Sequence, residues 1–316
     1  MISDDNSLEE ETLTVSQEEN GQRIDKILSQ HYPDVSRHYF QDLILKEDVR
    51  LNGLPTLKRQ RVKPGDVIEI RFRLTPEIQL TPEDIPLDIL FEDSDIIAVN
   101  KPAGMTVHPA PGNWSGTFVN ALVHHCKELE GDFSTLRPGV VHRLDKHTSG
   151  VLIAAKTKRA HLRLAELFAE RRMQKEYVAI CLGNAGSGTI ENYLDRHPVD
   201  RKKRTVVEQG GKLAITEYKT LTHGDKLCLV KINLKTGRTH QIRVHMQFHG
   251  TPILGDPVYG RRQSNTQWEV ERQLLHAQTL AFEHPFTGEA ICLKAPLPED
   301  MSQLLKQMPP VPEGLL

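Results

Sequence analysis

Apolar and polar residues in the first quarter of the chain follow two helical patterns and then two strand patterns. The segments GQRIDKILSQHY (21–32) and SRHYFQDLILK (36–46) place apolar residues three and four positions apart, which predicts two amphipathic helices. VRLNGLP (49–55) is a short run that contains an Asn-Gly turn, and RVKPGDVIEIRFR (61–73) alternates apolar and polar positions after a Pro-Gly turn. These elements predict a small α+β domain over residues 21–75.

From residue 89 onward, strand patterns outnumber helical ones. DILFEDSDIIAVNKP predicts a hairpin, and five further runs predict strands: GVLIAAKT, EYVAICLG, LAITEYKTL, CLVKINLKTG and AQTLAFEHP. KRAHLRLAELFAERR predicts a helix whose inward face is Leu162, Leu164, Ala165, Leu167 and Phe168. Many strands with few helices between them predict that residues 89–316 form an α+β domain with a large mixed, mainly antiparallel sheet and flanking helices. Residues 76–88 are rich in proline and acids, which predicts a linker.

Charge is distributed unevenly along the chain. The formal net charge is −2, but residues 1–20 contain seven acids and no base, which predicts a disordered acidic tail. The rest of the chain carries 40 lysines and arginines against 35 acids, and residues 21–73 carry eleven bases against seven acids. A basic body is therefore expected behind the acidic tail.

The composition disfavours several classes of protein. The closest cysteines, Cys181 and Cys228, are 47 residues apart, so there is no CxxC motif and reduced thiols fit better than disulfides. The acidic N-terminus lacks an apolar signal segment, and no apolar run approaches the ~18 residues of a membrane span. We expect a cytoplasmic protein that does not associate with a membrane.

The segment HRLDKHTSG (142–150) contains one carboxylate, Asp145, among basic residues. It supplies no second carboxylate for glycoside hydrolysis, and the glycine-rich GNAGSG (183–188) precedes no helix that could bind a nucleotide phosphate. His240 and His245 are five residues apart and do not share a helical face for zinc. A single carboxylate that acts as nucleophile or general base is the functional interpretation, and a structural ion pair or turn cap is the alternative.

Residues 21–73 resemble an S4-type RNA-binding domain in the blocks RIDKIL, SRHYFQDLI, VRLNG and VKPGDVIEI. The family often has a glycine between the second helix and the first strand, where this chain has Lys46-Glu47-Asp48. The resemblance implies RNA binding, in agreement with the basic excess, because RNA phosphates attract basic groups. A protein-interaction module is the alternative. The expected RNA-binding side chains are Arg23, Arg37, Lys58 and Arg59.

Residues 89–296 resemble the RluA/RluD family of RNA pseudouridine synthases. The signature HRLDKHTSG is accompanied, in the family's order, by NKPAGMTVHP (100–109), KEYVA (175–179), GRTHQIRVHM (237–246) and LGDPVYG (254–260). The S4-like domain in front matches the layout of the members that act on large-subunit rRNA. The resemblance implies isomerisation of uridine to pseudouridine in that RNA, with base flipping and without a cofactor.

The resemblance also implies a role for each matching residue. Asp145 would attack the target uridine at C1′ of the sugar or at C6 of the base, and both routes stay open. Tyr177 would pack on the base and remove its C5 proton. Arg243 would hold Asp145 with a bidentate fork, and we expect it rather than Arg143 to do so. Arg143 would enter the RNA stack when the nucleotide flips out.

Two further basic residues, Lys101 and Arg238, are expected either to contact RNA or to support the fold. The expected partner is large-subunit rRNA, free or in an assembling ribosomal particle. The expected enzyme is a monomer that uses no metal and no cofactor. Two alternatives are a pseudouridine synthase that acts on tRNA or another rRNA loop, and an rRNA-binding assembly factor without catalytic activity.

Overall fold

The structure is a computed structural model that describes residues 9–32, 37–72, 80–109, 113, 115–127, 129, 137–198, 200 and 203–315. The chain divides into two compact units, Met1–Gln79 and Leu80–Leu316. The boundary falls inside the predicted linker, but Leu80 and Leu87 pack against the core of the second unit. Residues 80–88 are therefore part of that unit, since Leu80 and Leu87 are partly buried against its core.

In its described residues, the first unit combines a four-stranded antiparallel sheet with two helices. Its elements are β1 (Glu9–Thr14), α1 (Ile24–His31), α2 (Arg37–Leu45), β2 (Val49–Leu51), β3 (Leu54–Pro55) and β4 (Val67–Phe72). The strand order is β1-β4-β2-β3. The apolar faces of both helices pack with β2 and β4 in one core, with Phe40, Leu28 and Ile68 fully buried.

The strand β1 contradicts the prediction that residues 1–20 form a disordered acidic tail. It pairs antiparallel with β4, with Leu13 opposite Ile68, and Val15 is buried in the core of the unit. Successive side chains of a strand point to opposite faces, so acids can face solvent while apolar residues pack inward. The prediction is wrong from residue 9 onward, and residues 1–8 lie outside the described residues.

The turn after α2 forms without the glycine that is common in S4-type domains. Glu47 has a left-handed φ of 61° at this position. The N–H of Asp48 donates to the carbonyl of Leu43 at 2.9 Å, which closes the helix end. A residue with a side chain pays roughly 1–2 kcal/mol for this conformation, so the tight turn is kept at a modest cost in stability.

The second unit is built, in the described part of the chain, on one ten-stranded sheet. Its strands are β5 (Ile89–Glu92), β6 (Ile96–Lys101), β7 (Ser149–Ala155), β8 (Gln174–Leu182), β9 (Ser187–Arg196), β10 (Arg204–Val207), β11 (Lys212–His223), β12 (Leu227–Leu234), β13 (Leu275–Glu283) and β14 (Ala290–Lys294). Its helices are α3 (Phe118–His125), α4 (Lys158–Ala169), α5 (Gln241–Phe248), α6 (Arg262–Gln267) and α7 (Glu299–Leu305). None of the helices in the described ranges is long and apolar enough to cross a membrane.

The sheet order is β10-β9-β11-β12-β8-β13-β7-β6-β5, with β14 beside β13. Among these described strands, β13 and β7 are the one parallel pair, so the predicted mixed, mainly antiparallel sheet is confirmed. The helix α4 is present and buries Leu164 and Leu167 as predicted. The prediction for Leu162 is wrong, since this residue is 58% exposed. Residues two positions apart do not share a helical face, which explains why Leu162 and Leu164 differ.

The helix α5 was not predicted from the apolar spacing. Six consecutive residues, from Gln241 to Met246, are buried, and polar and apolar residues alternate along QIRVHMQF, so the sequence shows no apolar stripe at helical spacing. His240, immediately before it, has a left-handed φ of 58° and turns the chain into the helix. This turn and helix carry Arg243 into the interior.

Candidate active site

A cavity of about 140 Å³ lies where the 143–148 segment, β8 and the start of α5 meet; we call it the Asp145 pocket. Asp145, Tyr177 and Arg243 all line it, although they are far apart in sequence. The structure therefore brings the three predicted catalytic side chains to one place. Other lining residues include Arg143, Arg238, His240, Leu144, Ile242 and Leu275.

Asp145 lies in a tight segment that leads into β7. Its carbonyl accepts a hydrogen bond from the N–H of Thr148 at 3.0 Å. Gly150 has a φ of 110°, and a Cβ added to it would lie 2.2 Å from the carbonyl oxygen of Ala277 in β13. Glycine is therefore required where β7 and β13 approach each other. The side chain of Asp145 is 20% exposed and lines the pocket.

Arg243 is the buried cation of the pocket and joins two carboxylates. Its Nη1 donates to Asp145 Oδ2 at 3.0 Å, and its Nε and Nη2 donate to the two oxygens of Asp256 at 2.7 and 2.9 Å. Burial lowers the pKa of the guanidinium, but the hydrogen bonds and charge of Asp256, followed by those of Asp145, raise it more. Arg243 therefore keeps its charge and holds Asp145 in place.

The predicted contact between Arg243 and Asp145 is confirmed, but the prediction of a bidentate contact is wrong. The Nε and Nη2 groups of Arg243 bind Asp256 in the bidentate geometry, and Asp145 accepts a single hydrogen bond from Nη1. Asp256 also accepts the N–H groups of Val258 and Tyr259 at 2.8 and 2.9 Å. Sequence reasoning missed Asp256, and its one signal was an acid inside the block LGDPVYG.

Tyr177 lies on β8, opposite Ile232 of β12, and its side chain forms part of the pocket wall. Burial raises the pKa of its hydroxyl, and the negative charge of Asp145 raises it further. The hydroxyl is therefore protonated at neutral pH.

His240 and Tyr259 complete the polar wall around Asp145. His240 Nε2 lies 3.9 Å from Asp145 Oδ1, and its Nδ1 lies 3.0 Å from the hydroxyl of Tyr259. Burial lowers the pKa of the imidazole, and Asp145 raises it by less, so the net shift is downward. The guanidinium of Arg243 lies 5.1 Å from the centre of the Tyr259 ring. With a mainly neutral His240, Arg243 is the cation that neutralises Asp145.

Lys101 is wholly buried, so of the two roles left open for it the burial agrees with support of the fold and not with RNA contact. Its Nζ donates to the carbonyls of Pro102, Met105 and Lys146 at 2.7, 3.0 and 3.3 Å. Burial lowers the pKa of its ammonium group to about 7, although the charge of Asp145 raises it. Because Lys146 follows Asp145 directly, Lys101 supports the segment that carries the carboxylate.

Arg143 and Arg238 lie exposed at the rim of the pocket. The Nε of Arg238 donates to the carbonyl of Leu213 at 3.0 Å, which fixes the base of its guanidinium on β11. Both side chains are in a position from which RNA contacts are feasible. Their predicted roles in RNA binding stay predictions.

The basic residues predicted to bind RNA in the first unit are of two kinds. Arg23 and Arg37 each form a bidentate pair with the fully buried Asp25, at distances of 2.8 to 3.1 Å. Burial raises the pKa of Asp25, but the hydrogen bonds from Arg37 and Arg23 lower it more. Lys58 and Arg59 are exposed. All four residues therefore have solvent-accessible positive charge, and Arg23 and Arg37 are held in position by the buried carboxylate of Asp25.

One group of three potential metal ligands occurs within the described residues, away from the Asp145 pocket. Glu92, His125 and Cys126 have ligand atoms within 4.8 Å of one another. The carboxylate of Glu92 already accepts hydrogen bonds from Lys156 Nζ at 2.6 Å and from His125 Nε2 at 2.9 Å. A lysine ammonium at this distance competes with a metal cation, so the group is better explained as an ion-pair network.

Comparison with known families agrees with both units. The family model described as RNA pseudouridylate synthase matches residues 95–248, and the S4 domain model matches residues 22–68. The solved structure of human RNA Pseudouridylate Synthase Domain Containing 4 is 26% identical, with a TM-score of 0.57, and the match covers 71% of this chain and 94% of that one. The second unit thus has the fold of a pseudouridine synthase.

Relatives match over nearly the whole length. The chain is 40% identical to the Uncharacterized RNA pseudouridine synthase YlyB of Bacillus subtilis, over 94% of this chain and 97% of that protein. It is 39% identical to Ribosomal large subunit pseudouridine synthase D of Escherichia coli (strain K12), over 94% of each chain. The chain belongs to the RNA pseudouridylate synthase family, which confirms the resemblance seen in its motifs, and it carries an S4 domain.

Proposed function

We propose that the protein converts uridine to pseudouridine in large-subunit rRNA, with Asp145 as the nucleophile. The observation that carries the proposal is a partly exposed carboxylate that a buried arginine holds beside Tyr177 in one pocket. The name of the Escherichia coli relative, which the chain matches over almost its full length, supports the choice of RNA.

The chemistry requires no external reactant. The reaction breaks the N1–C1′ bond of uridine, forms a C5–C1′ bond and moves one proton from C5 to N1. A carboxylate that attacks and later leaves can divide this change into easier steps. Asp145 is suited to the task because Arg243 holds its Oδ2 while the side chain stays partly exposed to the pocket. Attack at C1′ and attack at C6 both begin from this carboxylate.

Tyr177 and Arg143 have supporting roles in the proposal. The ring of Tyr177 would pack on the flipped base, and its hydroxyl would remove the C5 proton. Because the raised pKa keeps this hydroxyl protonated, its oxygen would accept the C5 proton while its own proton passes on to N1, which completes the net transfer from C5 to N1. Arg143, exposed at the rim, would stack in the gap left by the flipped nucleotide, whose extrusion costs a few kcal/mol.

Asp145→Asn tests the nucleophile. The substitution keeps the shape of the side chain and removes the attacking oxygen anion, so we expect pseudouridine formation to fall by more than about 10³-fold. The measurement is pseudouridine mapping on an unmodified large-subunit rRNA transcript, with RNA binding followed in parallel. Asp225→Asn, in the exposed turn between β11 and β12, is the matched control and should react at the wild-type rate. Full activity of the Asp145 variant would refute the mechanism.

Tyr177→Phe tests the proton transfer. The variant keeps the ring on the base and lacks the hydroxyl, so we expect the turnover number to fall by about 10²-fold or more while RNA affinity changes little. Single-turnover kinetics on the same transcript give both quantities. An unchanged turnover number would remove Tyr177 as the base and leave it as a packing residue.

The substrate is tested in cells by mapping all pseudouridines with and without the gene. Loss of pseudouridines in large-subunit rRNA supports the proposal. Loss confined to tRNA or to another rRNA would show that this other RNA is the substrate. Loss of no site would favour an assembly factor that binds rRNA without modifying it. We further propose that the enzyme is a monomer that uses no metal and no cofactor. Whether it modifies free rRNA or a pre-ribosomal particle is tested by comparing its activity on the two.

A further inference from the structure

A second cavity, of about 260 Å³, adjoins the Asp145 pocket. The two share one wall, formed by Gly237, Arg238 and Thr239. The remaining lining residues come from β9, the start of β10 and the turn into β11: Leu194, Asp195, Arg204, Gly210, Gly211 and Lys212. We call this cavity the Arg204 subsite.

The Arg204 subsite carries an excess of positive charge. Among the described residues, three bases line it, Arg204, Lys212 and Arg238, against one acid, Asp195. Asp195 Oδ1 accepts a hydrogen bond from the N–H of Arg196 at 2.7 Å, so one of its carboxylate oxygens is occupied within its own strand. Such a site favours an anion with several oxygen acceptors.

The backbone of the subsite also suits close approach of an anion. Gly210, Gly211 and Gly237 contribute no side chain to it. A Cβ added at Gly210 would have nothing within 4 Å, whereas one added at Gly211 would lie 2.6 Å from Val207 Cγ2, so Gly210 is the glycine that leaves backbone open to the cavity. Glycine allows a ligand to approach the backbone closely. The Nε of Arg238 is bound to the carbonyl of Leu213 at 3.0 Å, so the guanidinium is held at the common wall.

The subsite is connected to the Asp145 pocket by one hydrogen-bonded residue. The N–H of Arg204 donates to the hydroxyl of Tyr259 at 2.7 Å, and the same hydroxyl lies 3.0 Å from His240 Nδ1. Tyr259 in turn packs against the guanidinium of Arg243. The start of β10 is therefore fixed relative to the side chain that positions Asp145.

We propose that the Arg204 subsite binds the backbone phosphate of a nucleotide that flanks the target uridine. The inference rests on the proposed RNA substrate and adds a specific anchor for its chain. A phosphodiester carries one negative charge on two oxygens, which matches the basic residues and the bare backbone of the cavity. Because the two cavities share Arg238, a phosphate held there fixes the strand next to the nucleotide that enters the Asp145 pocket.

The test is a double substitution, Arg204→Gln with Lys212→Gln, made on an Asp145→Asn background so that binding is measured without chemistry. The probe is an unmodified large-subunit rRNA transcript. We expect about a tenfold weaker affinity and a decrease of about 1 in the slope of log K against log salt concentration. Lys219→Gln, an exposed lysine near the other end of β11, should leave affinity and slope unchanged.

Equal affinity and equal salt slope in the double variant and its parent would overturn the subsite. Equal losses in the double variant and the Lys219 control would also overturn it, since they would indicate a general charge effect. The thermal midpoint of each variant verifies folding, and Lys212→Glu alone should weaken binding further than Lys212→Gln. Failure here leaves the proposed function standing, because that function is judged by pseudouridine formation in the wild-type chain.

Discussion

The two units arrange the same ion-pair chemistry in opposite ways. In the first unit, one buried carboxylate, Asp25, binds two arginines; we call this the Asp25 cluster. In the second unit, one buried arginine, Arg243, binds two carboxylates; we call this the Arg243 cluster. The Asp25 cluster has a net charge of +1, and the Arg243 cluster has a net charge of −1.

Burial decides which charge each cluster presents. Asp25 is 0% exposed, whereas the side chains of Arg23 and Arg37 are 36% and 44% exposed. The first unit therefore exposes two cations that a buried carboxylate holds in position. Arg243 is 5% exposed, whereas Asp145 is 20% exposed, so the second unit presents an anion inside a pocket. In each cluster the residue that bridges the other two is buried. Asp256 is buried as well, so Asp145 is the member of the Arg243 cluster that is open to the pocket.

Asp256→Asn breaks the Arg243 cluster and has the larger expected effect. The variant removes the anion that holds the guanidinium fork, so Arg243 can shift toward Asp145 and misplace it. We expect kcat/KM to fall by about 10²-fold, because a displacement of about 1 Å has this effect on positioned groups. We also expect the free energy of unfolding to fall by about 2 kcal/mol, since a buried charged hydrogen-bond network is disrupted. Single-turnover kinetics and urea unfolding of the full chain measure the two quantities.

Asp95→Asn is the matched control for this experiment. Asp95 is also buried and also binds an arginine in bidentate fashion, Arg159, at 2.7 and 2.6 Å, but it does not line the Asp145 pocket. The Asp95→Asn variant should have a lower free energy of unfolding than the wild type and the same activity. A similar loss of activity in both variants would show that general destabilisation, and not the position of Asp145, explains the result.

The sequence alone could predict which residues meet in the Asp145 pocket, but not every residue that holds them there. Asp145 and Arg243 stand in recognisable blocks 98 residues apart, so their contact was predictable by resemblance. The role of Asp256 was not, because the choice between one and two carboxylates on a guanidinium is made by tertiary packing. Lys101 looks like a surface base in the sequence, and its burial depends on three carbonyls that the fold brings together.

The same limit explains the errors in the fold. The strand β1 was missed because acidic composition suggested disorder, whereas pairing with β4 and burial of Val15 order it. The helix α5 was missed because its first six residues are buried whether they are polar or apolar, so the sequence lacks the apolar stripe that reveals an amphipathic helix. Composition and periodicity indicate which face of a segment is expected to contact water. The conformations of β1 and α5 depend instead on packing against the rest of the protein.

Asp25→Asn breaks the Asp25 cluster and has the smaller expected effect. Arg23 and Arg37 can regain water when they lose the carboxylate, so we expect the stability of the first unit to fall by about 1 kcal/mol. The effect should depend on pH. The pKa of Asp25 is lowered from 3.8 by the arginines in the folded state, so its stabilisation is complete above that value and is lost as the pH falls through the lower folded pKa. Hydrogen exchange of the α1 amides in the full chain, corrected for intrinsic rates, should therefore differ between wild type and variant at about pH 7 and converge in acid, once the pH is below the lowered folded pKa of Asp25. A difference that persists in acid would show that packing, and not the charge of Asp25, holds the two arginines in place.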